Sequence, residues 1–253
     1  MITIRRSTSS TANQSIVLKE AKKKEGNRAW LKRVGAKDGL LLIGGASTSH
    51  FRIRVAQSHA RADLKPSLWS LAGILTSSDS FLSTPLELCG AASEIAVRNG
   101  VKTCSMADYD DPDQFPNIAV LRFTADTTMI LDNANRIADQ RSIIDLPALM
   151  LPWLSYIWIT GKATNPLSEG LGLPSAAFVE TAYGVAGIEL TPGLSSATSC
   201  PEAIWQAAKW WHDYYVQASA TTHEDNAKAQ SPTGSYTIRQ PVAAADWPPP
   251  EKK

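Results

Sequence analysis

Nucleophilic chemistry in this chain would have to come from Cys89, Cys104 or Cys200, or from a serine held at a helix start. The base would be His50, His59, His212 or His223. A thiol reacts as its thiolate, which a helix N-terminus or a nearby cation favours; a hydroxyl needs an adjacent base. Cys200-Pro201 precedes a helical pattern, a setting that can lower a thiol pKa, although a buried thiol is the commoner outcome. Ser175 follows Pro174 and precedes Ala176-Ala177-Phe178, a place that suits a helix N-cap, where the hydroxyl accepts a backbone N–H. The histidines read as surface or partly buried groups. The base alternative stays open for His50 and His59, because catalytic sets are defined by geometry and not by chain order. Asp108, Asp110, Asp111 and Asp113 supply carboxylates enough for calcium. They lack the turn glycine and distal glutamate of a calcium loop, so a solvated loop is expected. Nucleotide-binding, nucleophile-elbow and zinc spacings are absent. No cofactor or metal is expected.

Elements must position these groups, and the bulk numbers say what kind. The 253 residues are 43% hydrophobic and 19% charged, a globular balance. The net charge of +1 hides an asymmetry: residues 1–37 hold ten Lys/Arg against Glu20 and Glu25, and the rest is acidic by about seven charges. Such a basic arm can touch an anionic surface, but without a strong nucleic-acid signal. The odd count of three cysteines with no CxxC fits a reducing compartment, so a cytoplasmic location is expected. Ile143–Thr160 is the most apolar stretch, yet Asp145, Pro147 and Pro152 interrupt it. A buried helix is expected there rather than a transmembrane span.

Along the chain, residues 1–26 read as a disordered basic arm and residues 220–253 as a disordered Pro/Ala-rich tail around a body at 27–219. Gly39–Gly45 reads as a buried strand, and His50–Ala62 as a short helix with Phe51 and Val55 inward. Ser67–Thr76, Glu94–Val97, Gly100–Ser105 and Asn117–Phe123 read as strands, with a turn at Asn99-Gly100. A helix capped at Ala125 or Asp126 is expected through about Asp145, with Ile130, Ala134, Ile137 and Ala138 on one face. Another runs from Ser175 to Gly187 with Phe178, Val179, Ala182, Val185 and Ala186 inward. A last helix opens at Cys200-Pro201 and carries Trp205, Trp210, Trp211, Tyr214 and Tyr215. Strands flanked by helices, without βαβ alternation, predict the α+β class.

The order of LLLIGGAST, HFRIRVAQSHA, the strand from Pro66 through Trp69-Ser70-Leu71, Glu94 with Gly100-Val101, and Val120-Leu121-Arg122 resembles the circularly permuted papain-like (NlpC-type) hydrolase superfamily. Leu173-Pro174-Ser175-Ala176-Ala177-Phe178-Val179, Gly187–Pro192 and Ala197–Trp205 extend the likeness over about residues 38–215. The resemblance implies a small, mostly antiparallel sheet packed by helices, with a strand histidine activating a helix-capping cysteine. Matched residue by residue, the nucleophile position is Ser175, the base position is Leu71 and the orienting acid is Glu94, with Glu87 as alternative. Trp69, Ser70 and Ala176 flank the implied cleft. Leucine moves no proton, and a general base contributes about 10²–10⁴-fold in rate. The implied function is therefore a pseudoenzyme binding a peptide, acyl chain or partner protein. The alternatives are an active thiol or serine hydrolase or acyltransferase with an unrecognised base, and a structural interaction module using the aromatic last helix.

Overall fold

The structure, a computed structural model, describes residues 17–18, 25–86, 97–158, 163–222 and 231–239. Seven described strands form one sheet: β1 (Val17–Leu18), β2 (Gly39–Gly44), β3 (Leu71–Ser77), β4 (Ser80–Ser83), β5 (Lys102–Ser105), β6 (Asn117–Arg122) and β7 (Thr233–Ile238). Their spatial order is β1-β7-β6-β2-β3-β4-β5. All neighbours pair antiparallel except the short β1, which runs parallel to β7. Six described helices accompany the sheet: α1 (Asn27–Arg33), α2 (Thr48–Ala56), α3 (Thr127–Asp139), α4 (Leu146–Ile157), α5 (Pro174–Val185) and α6 (Pro201–Thr222). The expected α+β class with a mostly antiparallel sheet is what the chain adopts.

The run GLLLIG is apolar throughout because both faces of the sheet are covered. Leu40 and Leu42 of β2 join Ala72, Ile74, Ala119 and Leu121 beneath α3, α4, α5 and α6. Leu41 and Ile43 point the other way, with Leu71, Leu75, Ile118 and Val120, against Trp30 and Leu31 of α1. The alternation of a pleated strand thus assigns each residue of β3 to one side. Leu71 goes with α1 and Ala72 with α5.

Several boundaries differ from expectation for physical reasons. The helix expected from 126 to 145 is two elements. Asp126 caps α3 through Thr128 N–H (2.9 Å), the chain breaks at Gln140, and Asp145 caps α4 with Pro147 in its first turn. Ile130, Ala134, Ile137 and Ala138 are all buried, as the period predicts. In α2, Val55 is exposed while Arg54 is buried, and His59 sits exposed on a following short turn. Val185, expected inward, lies on the solvent side of α5. The strand expected from Ser67 begins at Leu71: Ser67 N–H donates to Arg54 O (2.9 Å) and the carbonyls of Ser67 and Trp69 are taken by the side chains of Arg54 and Gln57, so a regular ladder starts only after Ser70. The strand expected at Glu94–Val97 lies outside the described residues apart from Val97, which is exposed.

Thr233–Ile238, within the tail expected to be loose, is β7: it pairs with β6 from Arg122↔Thr233 to Asn117↔Ile238. Tyr236 lies edge-on to Trp205 at 5.0 Å. The apolar stretch forms α4, with Leu146 and Trp153 buried and Leu151 exposed. No described helix is long and apolar enough to cross a membrane.

Candidate functional site

Where β2 ends, two glycines let other groups come close. A side chain on Gly44 would collide with the Leu68 carbonyl, and one on Gly45 with the His50 ring. The second contact explains the glycine pair better than a turn does: it leaves room for the imidazole at the start of α2. Ser47 caps α2 through His50 N–H (3.4 Å). His50 Nδ1 then lies 2.8 Å from Ser70 Oγ, with its ring edge-on to Phe115 at 5.5 Å. Ser70 Oγ also accepts Gly45 N–H (3.0 Å) and lies 3.3 Å from the Ile43 carbonyl. Two backbone groups and an imidazole therefore share one buried hydroxyl.

The segment leading into β3 hangs on a buried polar network. Arg54 Nε donates to Ser67 O (2.6 Å) and Nη1 to Gly45 O (3.3 Å). Gln57 Nε2 donates to Trp69 O (2.8 Å), and its Oε1 accepts Glu202 N–H (3.0 Å). Ser67 Oγ donates to Glu202 Oε2 (2.6 Å), and Arg61 approaches Oε1 at 3.6 Å. Burial lowers the Arg54 pKa to about 10, opposed by the charge of Glu202. This network ties α2 to α6 and holds Trp69-Ser70 at the entry to β3.

The start of α5 is positioned by backbone. Gly172 N–H donates to Ala197 O (2.7 Å) and Leu173 N–H to Ser199 O (2.9 Å), an approach a side chain at Gly172 would block. Trp153 Nε1 donates to Gly172 O (2.9 Å), fastening α4 to the same turn. Leu173 is the N-cap, without a side-chain bond, so the cap role expected for Ser175 is replaced. Pro174 occupies the first turn, and Ser175, inside the helix, reaches across to the sheet. Its Oγ accepts the Ala72 N–H at 3.2 Å, while the Ala72 carbonyl receives Ser83 O–H at 2.6 Å. Two serines thus satisfy the backbone of Ala72 where the β3–β4 ladder does not. Further along α5, the buried Glu180 accepts Thr191 O–H (2.6 Å) and Ser199 O–H (2.8 Å). Burial still holds its pKa above the ordinary carboxylate value, the hydrogen bonds opposing.

Between α2, β3, the Thr84–Leu86 segment and the start of α5 lies a cavity of about 210 Å³. Its polar lining is Ser49, His50, Ser70, Thr84 and Ser175; Ile53, Leu86, Ile157 and Leu173 are among its apolar walls, with half-exposed Trp158 at one side. Among the described residues, no Lys, Arg, Asp or Glu lines it.

The structure brings Ser175, Ser70 and Leu71 to one cavity and leaves other expected residues out. The side chain of Leu71 belongs to the α1 face, and Ala72 is the β3 residue beside Ser175. Trp69 is buried against Trp205 at 5.1 Å, and Ala176 lies in the helix-side core. Glu94, Glu87, Cys89 and His223 lie outside the described residues. His212 faces Ser231 Oγ and Pro232 O, each at 3.1 Å. Cys104 is buried, and burial pushes the Cys200 thiol up to about 11, against the lowering a helix start would favour. Among the described residues no cluster of three His, Cys, Asp or Glu could hold a metal ion. In the acidic loop, Asp110 accepts Arg28 N–H (2.8 Å) and Asp111 accepts Asp113 N–H (2.9 Å). On the last helix, Trp205 is buried while Trp210 and Tyr214 are exposed and stacked at 5.4 Å.

Of the two histidines kept open as bases, His50 lines the cavity and His59 does not; Thr84 is a polar lining residue that sequence reasoning did not name, and nothing local marks it. Comparison with family models, with curated proteins and with solved structures finds no match.

Proposed function

We propose that this chain is a papain-like (NlpC-type) domain of the circularly permuted kind that no longer hydrolyses, and whose cleft binds a ligand intact. The observation that carries the reading is the Ser175 hydroxyl: at the head of α5 it accepts the Ala72 N–H and, among the described residues, has no hydrogen bond to an imidazole. In the family's terms, the strand residue opposite the nucleophile position is then Ala72 rather than Leu71. Neither side chain can take up a proton, so the chemical conclusion is the same. The ligand is a small molecule, a short acyl group or one side chain of a peptide, on the size of the cavity. A reducing, cytoplasmic setting suits the cysteine usage, and the folded body extends through β7.

One observation favours a second reading. The 2.8 Å approach of His50 to Ser70 is the distance of a nucleophile and its base. Against it, the Ser70 hydroxyl already serves Gly45 N–H and is buried. The Gly45 N–H draws on one lone pair of that hydroxyl and makes it a weaker nucleophile. Turnover of p-nitrophenyl esters and labelling by a fluorophosphonate decide between the two. The non-hydrolytic reading expects neither to exceed the Ser70→Ala and Ser175→Ala variants. Stoichiometric labelling at Ser70 or Ser175, with turnover lost on its replacement, would overturn it.

A further inference from the structure

The cavity beside Ser175 specifies more than its size, and the ligand class deduced for it rests on the binding role proposed for the cleft. Thr84, which follows β4, lines the cavity and is almost wholly buried. Its Oγ1 has no hydrogen-bond partner among the described residues. An unpaired buried hydroxyl costs free energy, so a group that completes it on binding gains the difference. The other polar groups are differently placed. Ser70 and His50 are bonded to each other, and Ser175 has one acceptor site taken by Ala72 N–H with its own proton left to donate. The cavity thus offers a hydroxyl that can donate or accept at Thr84 and a donor at Ser175.

Charge and size narrow the occupant. With no Lys, Arg, Asp or Glu among the described lining residues, and His50 Nδ1 engaged by Ser70 Oγ, a carboxylate or ammonium group would be stripped of water without a permanent counter-charge, a cost far larger than one hydrogen bond returns. A dry apolar cavity of about 150 Å³ is enough to admit benzene, so about 210 Å³ holds one ring with a small substituent. Ile53, Leu86, Ile157 and Leu173 supply the apolar walls such a ring needs.

We propose that this cavity binds a small neutral molecule of single-ring size, carrying one carboxamide or hydroxyl group that pairs with the Thr84 hydroxyl and is supported by Ser175. The test uses the full chain with benzamide, benzyl alcohol, toluene and benzoate, titrated by NMR. Benzamide and benzyl alcohol are expected to bind about tenfold more tightly than toluene (~1.4 kcal/mol), with benzoate weakest. Thr84→Val, which keeps the shape, is expected to weaken benzamide about tenfold, leave toluene unchanged and not lower the stability of the free protein. Ser49→Trp, at a half-buried position of the lining, is expected to abolish binding of all four without disturbing the core.

Benzoate binding as tightly as benzamide, full benzamide affinity in Thr84→Val, or no binding of any probe would each overturn the proposal. These outcomes are separate from the hydrolysis question. Failure of the ligand class leaves the labelling and turnover results standing, whereas cleavage of a benzyl ester would sink the non-hydrolytic reading and leave the ligand class intact.

Discussion

Replacing Ser175 with alanine removes the acceptor of the Ala72 N–H, a buried backbone donor at the start of β3. An unsatisfied buried donor costs about 1–3 kcal/mol. The site is 1% exposed and sits under α5, so water cannot easily take the place of the hydroxyl. For a body of this size each kcal/mol moves Tm by about 2–4 °C, so a fall of roughly 2–12 °C is expected. The urea midpoint should fall with an unchanged slope, since the surface exposed on unfolding is the same. Ser175→Cys should fall less, because a thiol is still a weak acceptor. The direction of the change discriminates. Removing a strained catalytic nucleophile commonly leaves stability unchanged or raises it, since active sites trade stability for function. If Ser175→Ala is as stable as the parent, within about 0.5 kcal/mol, the hydroxyl is not completing the sheet and the structural account of α5 fails.

Other groups give independent checks. Glu180 has its pKa raised by burial, so the folded state holds its proton more tightly than the unfolded state. Its contribution is fully present below the ordinary value of 4.5 and is lost as pH rises through the raised folded value. Glu180→Gln should therefore flatten this part of the pH dependence of the urea midpoint, and an unaltered profile would refute the assignment. Glu202 is buried and accepts from Ser67 O–H while lying near Arg61 and Arg54. Glu202→Ala should cost about 3–5 kcal/mol by leaving buried cationic and hydroxyl groups uncompensated; a loss below about 1 kcal/mol would mean the network is not structural. Cys200, with its thiol pushed up to about 11, should resist iodoacetamide at pH 8 in the native protein and react in denaturant, read site by site by mass spectrometry. Native labelling at a rate typical of a free thiol would contradict its burial.

What could be read from the chain was local. Leu40–Ile43 is apolar at every position, so a strand covered on both faces follows without knowing its partners. Asp126 ahead of an apolar period marks the start of α3, and Asn99-Gly100, both at positive φ, marks the expected turn. The inward face of α3 follows from a clean apolar period: its buried polar residue, Asn133, donates to Ala182 O (3.4 Å) without displacing an apolar residue from that face. In α2 that condition fails. Arg54 is inward only because the carbonyls of Ser67 and Gly45 and the charge of Glu202 receive it, and Val55 is displaced to the surface in consequence.

The same limit shapes the reading of Ser175 and of β7. Sequence places a serine after Pro174 at a helix start and assigns it the nearest orphan donors, those of its own helix. The donor it meets belongs to Ala72, on a strand 103 positions away, and exists because β3 and β4 part before that residue is paired. A helix cap can be inferred from a few neighbours; a gap in a ladder cannot, since it depends on where two strands diverge. Thr233–Ile238 has a weak alternating pattern with glycine and serine inside it, too polar to announce a strand. It becomes one because β6 presents an open edge from Asn117 to Arg122 and Trp205 offers Tyr236 an aromatic face. Chemistry at this site obeys the same logic as its fold. A hydroxyl that the sheet requires as an acceptor is held in place, and with no imidazole bonded to it among the described residues it is better suited to shape a binding cavity than to attack a substrate.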